Sequence, residues 1–307
     1  MAAMPEITHE FQWLPEDRPL LYKVGVGQIA TPHEQILFTV KRPFEPVSDH
    51  PIEVFPGFTD GIEGTDRLTN AYAVAGRVAI TLGYPRIMHP DFLDDPEGHK
   101  VNTGMLVLGA ARALMPDLQK VDAKGHSEGG ANASRACLEH PGEFRSLVVM
   151  GSGGLIKNDN ARRILGRALR NPGVFTRLTW EMASHPAYGL GIVRASSNYV
   201  WQNPGKARQE AVRIASADIT GRPARLRELG IPSGALQFGG DELFPLKLVE
   251  QGTDGGRIFD LFQVYPDRGA GHLTPQMHPH KVAKLALKMT SELVQIQQRR
   301  DSAKSAA

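Results

Sequence analysis

The stretch Val121–Leu138, VDAKGHSEGGANASRACL, decides the interpretation of this chain. Its start, Val121–Lys124, is typical of a short strand, and Gly129–His140 is typical of a helix. Between them Ser127 stands in the pattern Gly-x-Ser-x-Gly. In a strand–turn–helix context this pattern lifts a serine hydroxyl onto a tight turn at the amino end of a helix, where the dipole favours developing negative charge. The stretch therefore predicts a nucleophilic serine at position 127.

Strand-like and helix-like segments alternate on both sides of this stretch. The further segments typical of strands are Leu20–Val24, Ile36–Val40, Ile52–Phe55, Val78–Leu82, Phe144–Met150, Gly234–Phe238 and Phe259–Val264. Helical spacing of apolar residues is found in Asn70–Ala75, Thr103–Met115 and Lys281–Gln298. Such alternation predicts an α/β fold, in which helices cover both faces of a mostly parallel sheet.

The segment 155–228 differs from its surroundings because it is helical and basic throughout and is broken by prolines. It lies between two predicted strands, so we expect a helical lid inserted into an α/β core that comprises residues 20–154 and 229–298. The ends, 1–19 and 299–307, are polar, and we expect them to be flexible.

The composition limits the classes of partner. The chain has 307 residues, of which 41% are hydrophobic and 22% charged, as in a folded globule. A net charge of +2 argues against nucleic acid as a partner. The single cysteine, Cys137, excludes an internal disulfide and is predicted to be buried. No signal-peptide pattern and no apolar run of about 18 residues is found, so we expect no membrane span and a cytoplasmic location. The oligomeric state stays open.

A serine nucleophile needs a base and an orienting carboxylate. Asp241 follows a predicted strand and two glycines, and His272 follows the next strand in a glycine-bearing loop. Glu242 is a second candidate acid, but adjacent residues of an extended segment point to opposite sides, so only one can face the imidazole. Aspartate is shorter and loses less rotamer entropy, which favours Asp241. For the oxyanion, the backbone N–H groups of Phe58 and Glu128 are the predicted donors.

These segments together resemble the α/β-hydrolase superfamily, which includes esterases, lipases and C–C hydrolases. The resemblance covers about Leu20 to Gln298, and its carriers are Phe55–Phe58, Gly125–Gly130, Leu147–Gly154, Gly239–Pro245 and Gly271-His272. It implies Ser127 as nucleophile, His272 as base, Asp241 as acid and a lid that shapes the substrate pocket.

Two positions depart from the pattern of that superfamily. Pro56 precedes Gly57 where many members have histidine, and Lys124 precedes the elbow glycine where an apolar residue is usual. A pairing of Lys124 with Asp122 at the strand end is one explanation.

The predicted reaction is hydrolysis of a carboxylic ester in a small-molecule substrate, through an acyl-enzyme and without a cofactor or metal. The same residues serve C–C, lactone and thioester hydrolysis and acyl transfer, and a ligand-binding receptor with little turnover is a further alternative.

Three other patterns have weaker functional interpretations. The segment Gly25–Ala30 fits Gly-x-Gly-x-x-Ala, but a strand-like segment follows instead of the helix that a dinucleotide site requires. His272, His278 and His280 have few nearby carboxylates, which argues against a metal site. The aromatic residues of the predicted lid either line a pocket or pack the lid itself; they are Phe175, Trp180, Tyr188, Tyr199 and Trp201.

Overall fold

The computed structural model describes residues 8–14, 21–58, 61–84, 94–170, 201–202, 204–267 and 269–306. The strands in this part of the chain are β1 Thr8–Trp13, β2 Tyr22–Ala30, β3 Gln35–Pro43, β4 Ser48–Phe55, β5 Arg77–Gly83, β6 Val121–His126, β7 Phe144–Met150, β8 Ser233–Gln237 and β9 Leu261–Val264. The helices are α1 Ile62–Val74, α2 Pro96–Leu114, α3 Glu128–Glu139, α4 Ala161–Arg170, α5 Pro204–Ser216, α6 Arg222–Glu228, α7 Leu246–Gly252, α8 Thr274–Met277 and α9 Pro279–Ser305.

The strands form one sheet in the order β1-β2-β3-β5-β4-β6-β7-β8-β9. Strands β5, β4, β6, β7, β8 and β9 are parallel, and β1, β2 and β3 pair in antiparallel fashion at one edge. The carboxyl ends of the parallel strands therefore open on one side, where the segments that follow β4, β6, β8 and β9 can meet. The prediction of a mostly parallel α/β sheet is confirmed.

Both faces of the sheet are buried, because alternate residues of each central strand enter different hydrophobic clusters. In β7, Val148 packs in the cluster that holds α1 and α9, and Val149 packs in the cluster that holds α2 and α3. Cys137 lies in the second cluster and is fully buried. This double burial explains why β7 contains an apolar run, Leu147–Met150, rather than an alternating pattern.

The antiparallel edge explains the glycine pattern of β2. A β-carbon on Gly25 would lie 2.1 Å from the ring of Phe11, and one on Gly27 would lie 2.2 Å from the ring of Phe38. These two aromatic rings stack with centroids 6.0 Å apart. The glycines are therefore explained by ring packing in β2, next to the edge strand β1, and β3 follows instead of the helix that a dinucleotide site requires.

The chain ends carry regular structure where the sequence predicts flexible segments at 1–19 and 299–307. Strand β1 pairs with β2 along its whole length. At the other end α9 continues to Ser305, and Arg300 reaches back to the carboxylate of Asp260 at 2.7 Å. That these two segments are flexible stays a prediction.

The described parts of the predicted lid, 155–228, contain the helices α4, α5 and α6. Helix α4 packs against α5, whereas α6 packs against α3 and β8. Of the aromatic residues predicted there, Phe175, Trp180, Tyr188 and Tyr199 lie outside the described residues, and Trp201 is 87% exposed. The assignment of the whole segment as a lid stays a prediction.

The two charged residues of β6 do not pair with each other. Asp122 accepts hydrogen bonds from Arg77 and Arg145, both at 2.6 Å, and Lys124 donates to the hydroxyl of Thr290 on α9 at 2.6 Å. Burial lowers the pKa of Lys124 to about 8, although the charge of Asp122 opposes this shift. The lysine thus occupies an apolar position because its stem is buried and its amine reaches a hydroxyl.

Candidate functional site

The site begins at the turn between β6 and α3. Ser127 has φ 56° and ψ −123°, a backbone conformation that non-glycine residues rarely adopt. Its N–H donates to the carbonyl of Met150 at 3.1 Å. Its own carbonyl accepts from the N–H groups of Gly130 and Gly153 and from the hydroxyl of Ser152, each at 3.2 Å. The strained turn is therefore held from the end of β7 as well as from α3.

The glycines around Ser127 allow main-chain segments to approach each other. A β-carbon on Gly125 would lie 2.2 Å from the carbonyl oxygen of Gly129, and one on Gly129 would lie 2.0 Å from the carbonyl oxygen of Phe55. A β-carbon on Gly130 would meet the hydroxyl of Ser152 at 2.1 Å. Larger residues at these three positions would separate β4, β6 and α3, so the turn needs them as glycines.

The loops after β8 and β9 bring a carboxylate and an imidazole together. Asp241 Oδ2 lies 3.1 Å from His272 Nδ1, and both side chains are buried. The other oxygen, Oδ1, accepts from the backbone N–H groups of Leu243 at 3.0 Å and Phe244 at 2.9 Å. The carboxylate is thus fixed on both sides, and it holds the imidazole with Nδ1–H as the donor.

The neighbouring acid has a different contact. Glu242 Oε2 accepts the backbone N–H of His272 at 3.2 Å. Of the two candidate acids, Asp241 therefore contacts the ring and Glu242 contacts the main chain. This arrangement agrees with the sequence-based preference for Asp241, whose catalytic role stays a prediction.

A second histidine ties the imidazole loop to the serine turn. Nε2–H of His126, the residue before Ser127, donates to the carbonyl of His272 at 2.9 Å, and Nδ1 accepts from Nε2 of Gln276 at 3.2 Å. Burial lowers the pKa of His126, and the nearby His272 ring lowers it further. The imidazole of His126 is therefore neutral, with one nitrogen that donates and one that accepts, as these two hydrogen bonds require. The two imidazole centroids are 4.7 Å apart, so His272 lies beside the serine turn.

The two segments predicted to supply oxyanion donors lie against each other. The carbonyl oxygens of Phe55 and Pro56 face Gly129 so closely that a β-carbon there would lie 2.0 and 2.6 Å away. Phe58 follows three residues after the end of β4, and Glu128 is the first residue of α3. That their N–H groups bind an oxyanion stays a prediction.

The side chain of Glu128 belongs to a buried charged cluster. Lys100 Nζ donates to Glu128 Oε1 at 2.6 Å, lies 3.5 Å from Glu210 Oε1 and sits 5.1 Å above the ring of Tyr84. Burial disfavours the charge of Lys100, but the carboxylates of Glu128 and Glu210 outweigh this effect and raise its pKa. The sequence pattern does not indicate this cluster, because its members come from distant segments.

Other sequence candidates lie outside this arrangement. Ser152 is buried and bonded to the turn, whereas His278 and His280 are exposed at the start of α9. Within the described residues no group of three or more histidine, cysteine or acidic side chains could hold a metal ion. None of the helices described here is long and apolar enough to cross a bilayer.

No protein-family model and no curated protein matches the chain. Among solved structures, a membrane phospholipase A described as a bacterial virulence factor is similar over 88% of this chain and 87% of its own, at 15% identity and a TM-score of 0.58. An N-acyl homoserine lactone degrading enzyme is similar over 84% and 98%, at 15% identity and a TM-score of 0.57. A bromoperoxidase from Bacillus anthracis is similar over 84% of this chain and 95% of its own, at 15% identity and a TM-score of 0.57. With the sheet order and the serine turn, these similarities show that the chain has the α/β-hydrolase fold.

Proposed function

We propose that this chain is a serine hydrolase that cleaves a carboxylic ester, or a related acyl bond, in a small-molecule substrate. The observation that carries the proposal is the buried contact of 3.1 Å between Asp241 and His272, in a loop that His126 ties to the strained turn of Ser127. A carboxylate, an imidazole and a serine hydroxyl in this order are the parts that acyl transfer to water requires.

In the proposed reaction, Ser127 Oγ attacks the ester carbonyl and His272 Nε2 accepts its proton. The tetrahedral intermediate collapses when the imidazolium returns that proton to the departing alcohol, which leaves an acyl-serine. Water then attacks the acyl group with His272 again as base, and the carboxylic acid leaves with restoration of the serine hydroxyl.

Each charge that develops in this reaction has a proposed partner. The carboxylate of Asp241 stabilises the imidazolium, and its two backbone donors keep it in place without reorganisation. The negative oxygen of the intermediate would meet the N–H groups of Phe58 and Glu128 at the amino end of α3. One such donor is worth roughly 10²–10³ in turnover.

The similar structures support acyl chemistry only in general terms. By name, two of them are a phospholipase and a lactone-degrading enzyme, while the third is a bromoperoxidase. The same fold thus accompanies different reactions, and the proposal depends on the side chains rather than on the fold. The segment 155–228 is proposed to shape the pocket as a lid.

The test compares Ser127→Ala with Ser134→Ala, a matched serine two turns further along α3. Both variants are treated with a fluorophosphonate probe and assayed with p-nitrophenyl butyrate. Ser127→Ala should lose labelling and at least about 10³-fold of the turnover, since it lacks the attacking oxygen, whereas Ser134→Ala should keep both.

Two results would change the assignment. Labelling of Ser127→Ala, or turnover above about a tenth of the wild-type rate, would remove the serine from the mechanism. A wild-type protein that releases one equivalent of p-nitrophenol and then stops would be a ligand-binding receptor with a retained triad.

A further inference from the structure

A cavity of about 420 Å³ lies next to the serine turn, between the start of α2, the first turns of α3, and α5 with the loop that leads to α6. Five acidic side chains line it, namely Asp95, Glu97, Glu128, Glu210 and Asp218. Two guanidinium groups, Arg213 and Arg222, line it as well. Glu128, which lines the cavity, directly follows Ser127, the proposed nucleophile, in the chain.

Three of the five acids are engaged in contacts of their own. Asp95 accepts from both terminal nitrogens of Arg135 at 2.6 Å and caps the start of α2. Glu97 accepts from Arg222 at 2.6 Å. Asp218 accepts from the hydroxyl two residues later at 2.6 Å. These carboxylates need no ligand to satisfy them.

Glu128 differs from these three. Its side chain is buried, with 7% of the residue exposed, and only Oε1 is bonded, to Lys100. Within the part of the chain that the structure describes, Oε2 has no hydrogen-bond partner. Glu210, also buried, lies on the other side of the same ammonium group. One buried cation therefore faces two buried carboxylates, and an unsatisfied carboxylate oxygen in such a place is costly unless a donor reaches it.

We propose that this cavity binds the cationic end of the substrate, an ester in which the alcohol or acyl part carries a protonated amine that donates to Glu128 Oε2. The inference rests on the proposed function, since it names the substrate class of the same site. Burial raises the pKa of Glu128, which an incoming cation would reverse.

The guanidinium groups do not favour an anion instead. Arg222 donates to Glu97, to the carbonyl of Ala131 and to the hydroxyl of Ser134. Arg213 is exposed and donates to the carbonyl of Asp94 at 2.8 Å. Their positive charges are directed to oxygens of the protein, whereas Glu128, which lines the cavity, has a buried carboxylate oxygen without a hydrogen-bond partner among the described residues.

The first test uses two esters of similar shape. 2-(Dimethylamino)ethyl butyrate is a protonated amine at pH 7, and 3-methylbutyl butyrate is its neutral counterpart. Wild type should favour the amine ester in kcat/KM by about tenfold or more, as expected for a charge-assisted hydrogen bond. Glu128→Gln should abolish this preference. Asp218→Asn, a carboxylate of the same cavity that is already bonded, should keep it. A ratio within one variant cancels any loss that both esters share.

A second test measures binding without turnover. N,N-dimethylbutylammonium chloride is titrated calorimetrically into Ser127→Ala protein and into the same protein with Glu128→Gln. We expect heat of binding in the first and at least about a tenfold weaker affinity in the second. If Glu128→Gln does not fold, the ester preference of wild type and the ammonium binding of Ser127→Ala still test whether the protein has a cation site.

The outcomes separate the two proposals. Binding of the ammonium ion without turnover of any ester would retain the cation site and refute the hydrolase. Ester turnover with no preference for the amine ester and no ammonium binding would overturn the cation site alone. A preference for 3-methylbutyl hemisuccinate, an ester that carries a carboxylate, over 3-methylbutyl butyrate would overturn it in favour of an anion site.

Discussion

Glu53 of β4 should make the stability of this protein fall as the pH rises from acid to neutral. The residue is fully buried, and within the described residues neither carboxyl oxygen has a hydrogen-bond partner. Burial raises its pKa from 4.5 to about 8, and the charge of Arg112 only partly opposes this. The folded protein therefore holds a proton on Glu53 at pH 7, whereas the unfolded chain does not.

The size of the effect follows from linkage between protonation and folding. Below pH 4.5 the carboxyl of Glu53 is protonated in both the folded and the unfolded state, so its titration does not lower the free energy of unfolding. Between 4.5 and about 8 only the folded state keeps the proton, so the free energy of unfolding falls by about 1.4 kcal/mol per pH unit. The loss is about 3 kcal/mol at pH 7 and approaches about 5 kcal/mol at pH 8.

The perturbation is Glu53→Gln, which keeps the shape and removes the titration. Urea unfolding is followed by circular dichroism for wild type and variant at intervals between pH 4.5 and pH 8. Any cost of burying an amide is the same at every pH, so the measured quantity is the change in the difference between the two proteins. The variant should gain about 4 kcal/mol relative to wild type over this range. Glu45→Gln, an exposed glutamate near β3, is the matched control.

A difference between wild type and Glu53→Gln that changes by less than about 1 kcal/mol over the range would refute the reasoning. It would mean that water or a donor reaches the carboxylate, so that burial no longer controls its proton.

Asp241→Asn should reduce ester turnover by about 10⁴-fold, because an amide cannot stabilise the imidazolium, whereas Glu242→Gln should cost less than about tenfold; the opposite order in steady-state kinetics would transfer the acid role. Gly129→Ala should destabilise the fold by several kcal/mol, about the cost of overpacking, because its β-carbon would lie 2.0 Å from a carbonyl oxygen. Gly142→Ala meets nothing within 4 Å and should leave the melting temperature nearly unchanged; equal effects would contradict the packing argument. Trp201→Ala should alter the ranking of esters of different chain length more than the rate on the smallest ester, and an unchanged ranking would exclude this ring from the pocket.

The sequence predicts those elements whose burial produces a periodic pattern. Strand β7 is buried and mostly apolar on both faces, and the sequence predicts it over the same residues, Phe144–Met150. The sequence predicts helix α1 only from Asn70, although the helix begins at Ile62. Its first turns bury small and polar residues, and the hydroxyls of Thr65 and Thr81 pair at 2.7 Å. Apolar periodicity cannot detect a helix face of that kind.

In the candidate site, the sequence likewise predicts some residues and misses others. Local order along the chain places Ser127 on a turn and His272 in the loop after a strand, so both were accessible to sequence reasoning. The contact between Lys100 and Glu128 was not, because α2 and α3 approach each other only in the folded structure. Charged residues also look alike in a sequence whether they are solvated or buried in a pair.

The interlocking backbone around the serine turn also limits how this sequence can diverge during evolution. A mutation at Gly129 would push against β4, and one at Gly130 would push against Ser152, which in turn supports the carbonyl of Ser127. A substitution at Gly129, Gly130 or Ser152 alone would disturb its neighbours, so natural variants should retain these residues as a group or replace them together. Lineages that lose His272, the proposed catalytic base, would be under no such restriction at that position and would still be recognisable by their glycines.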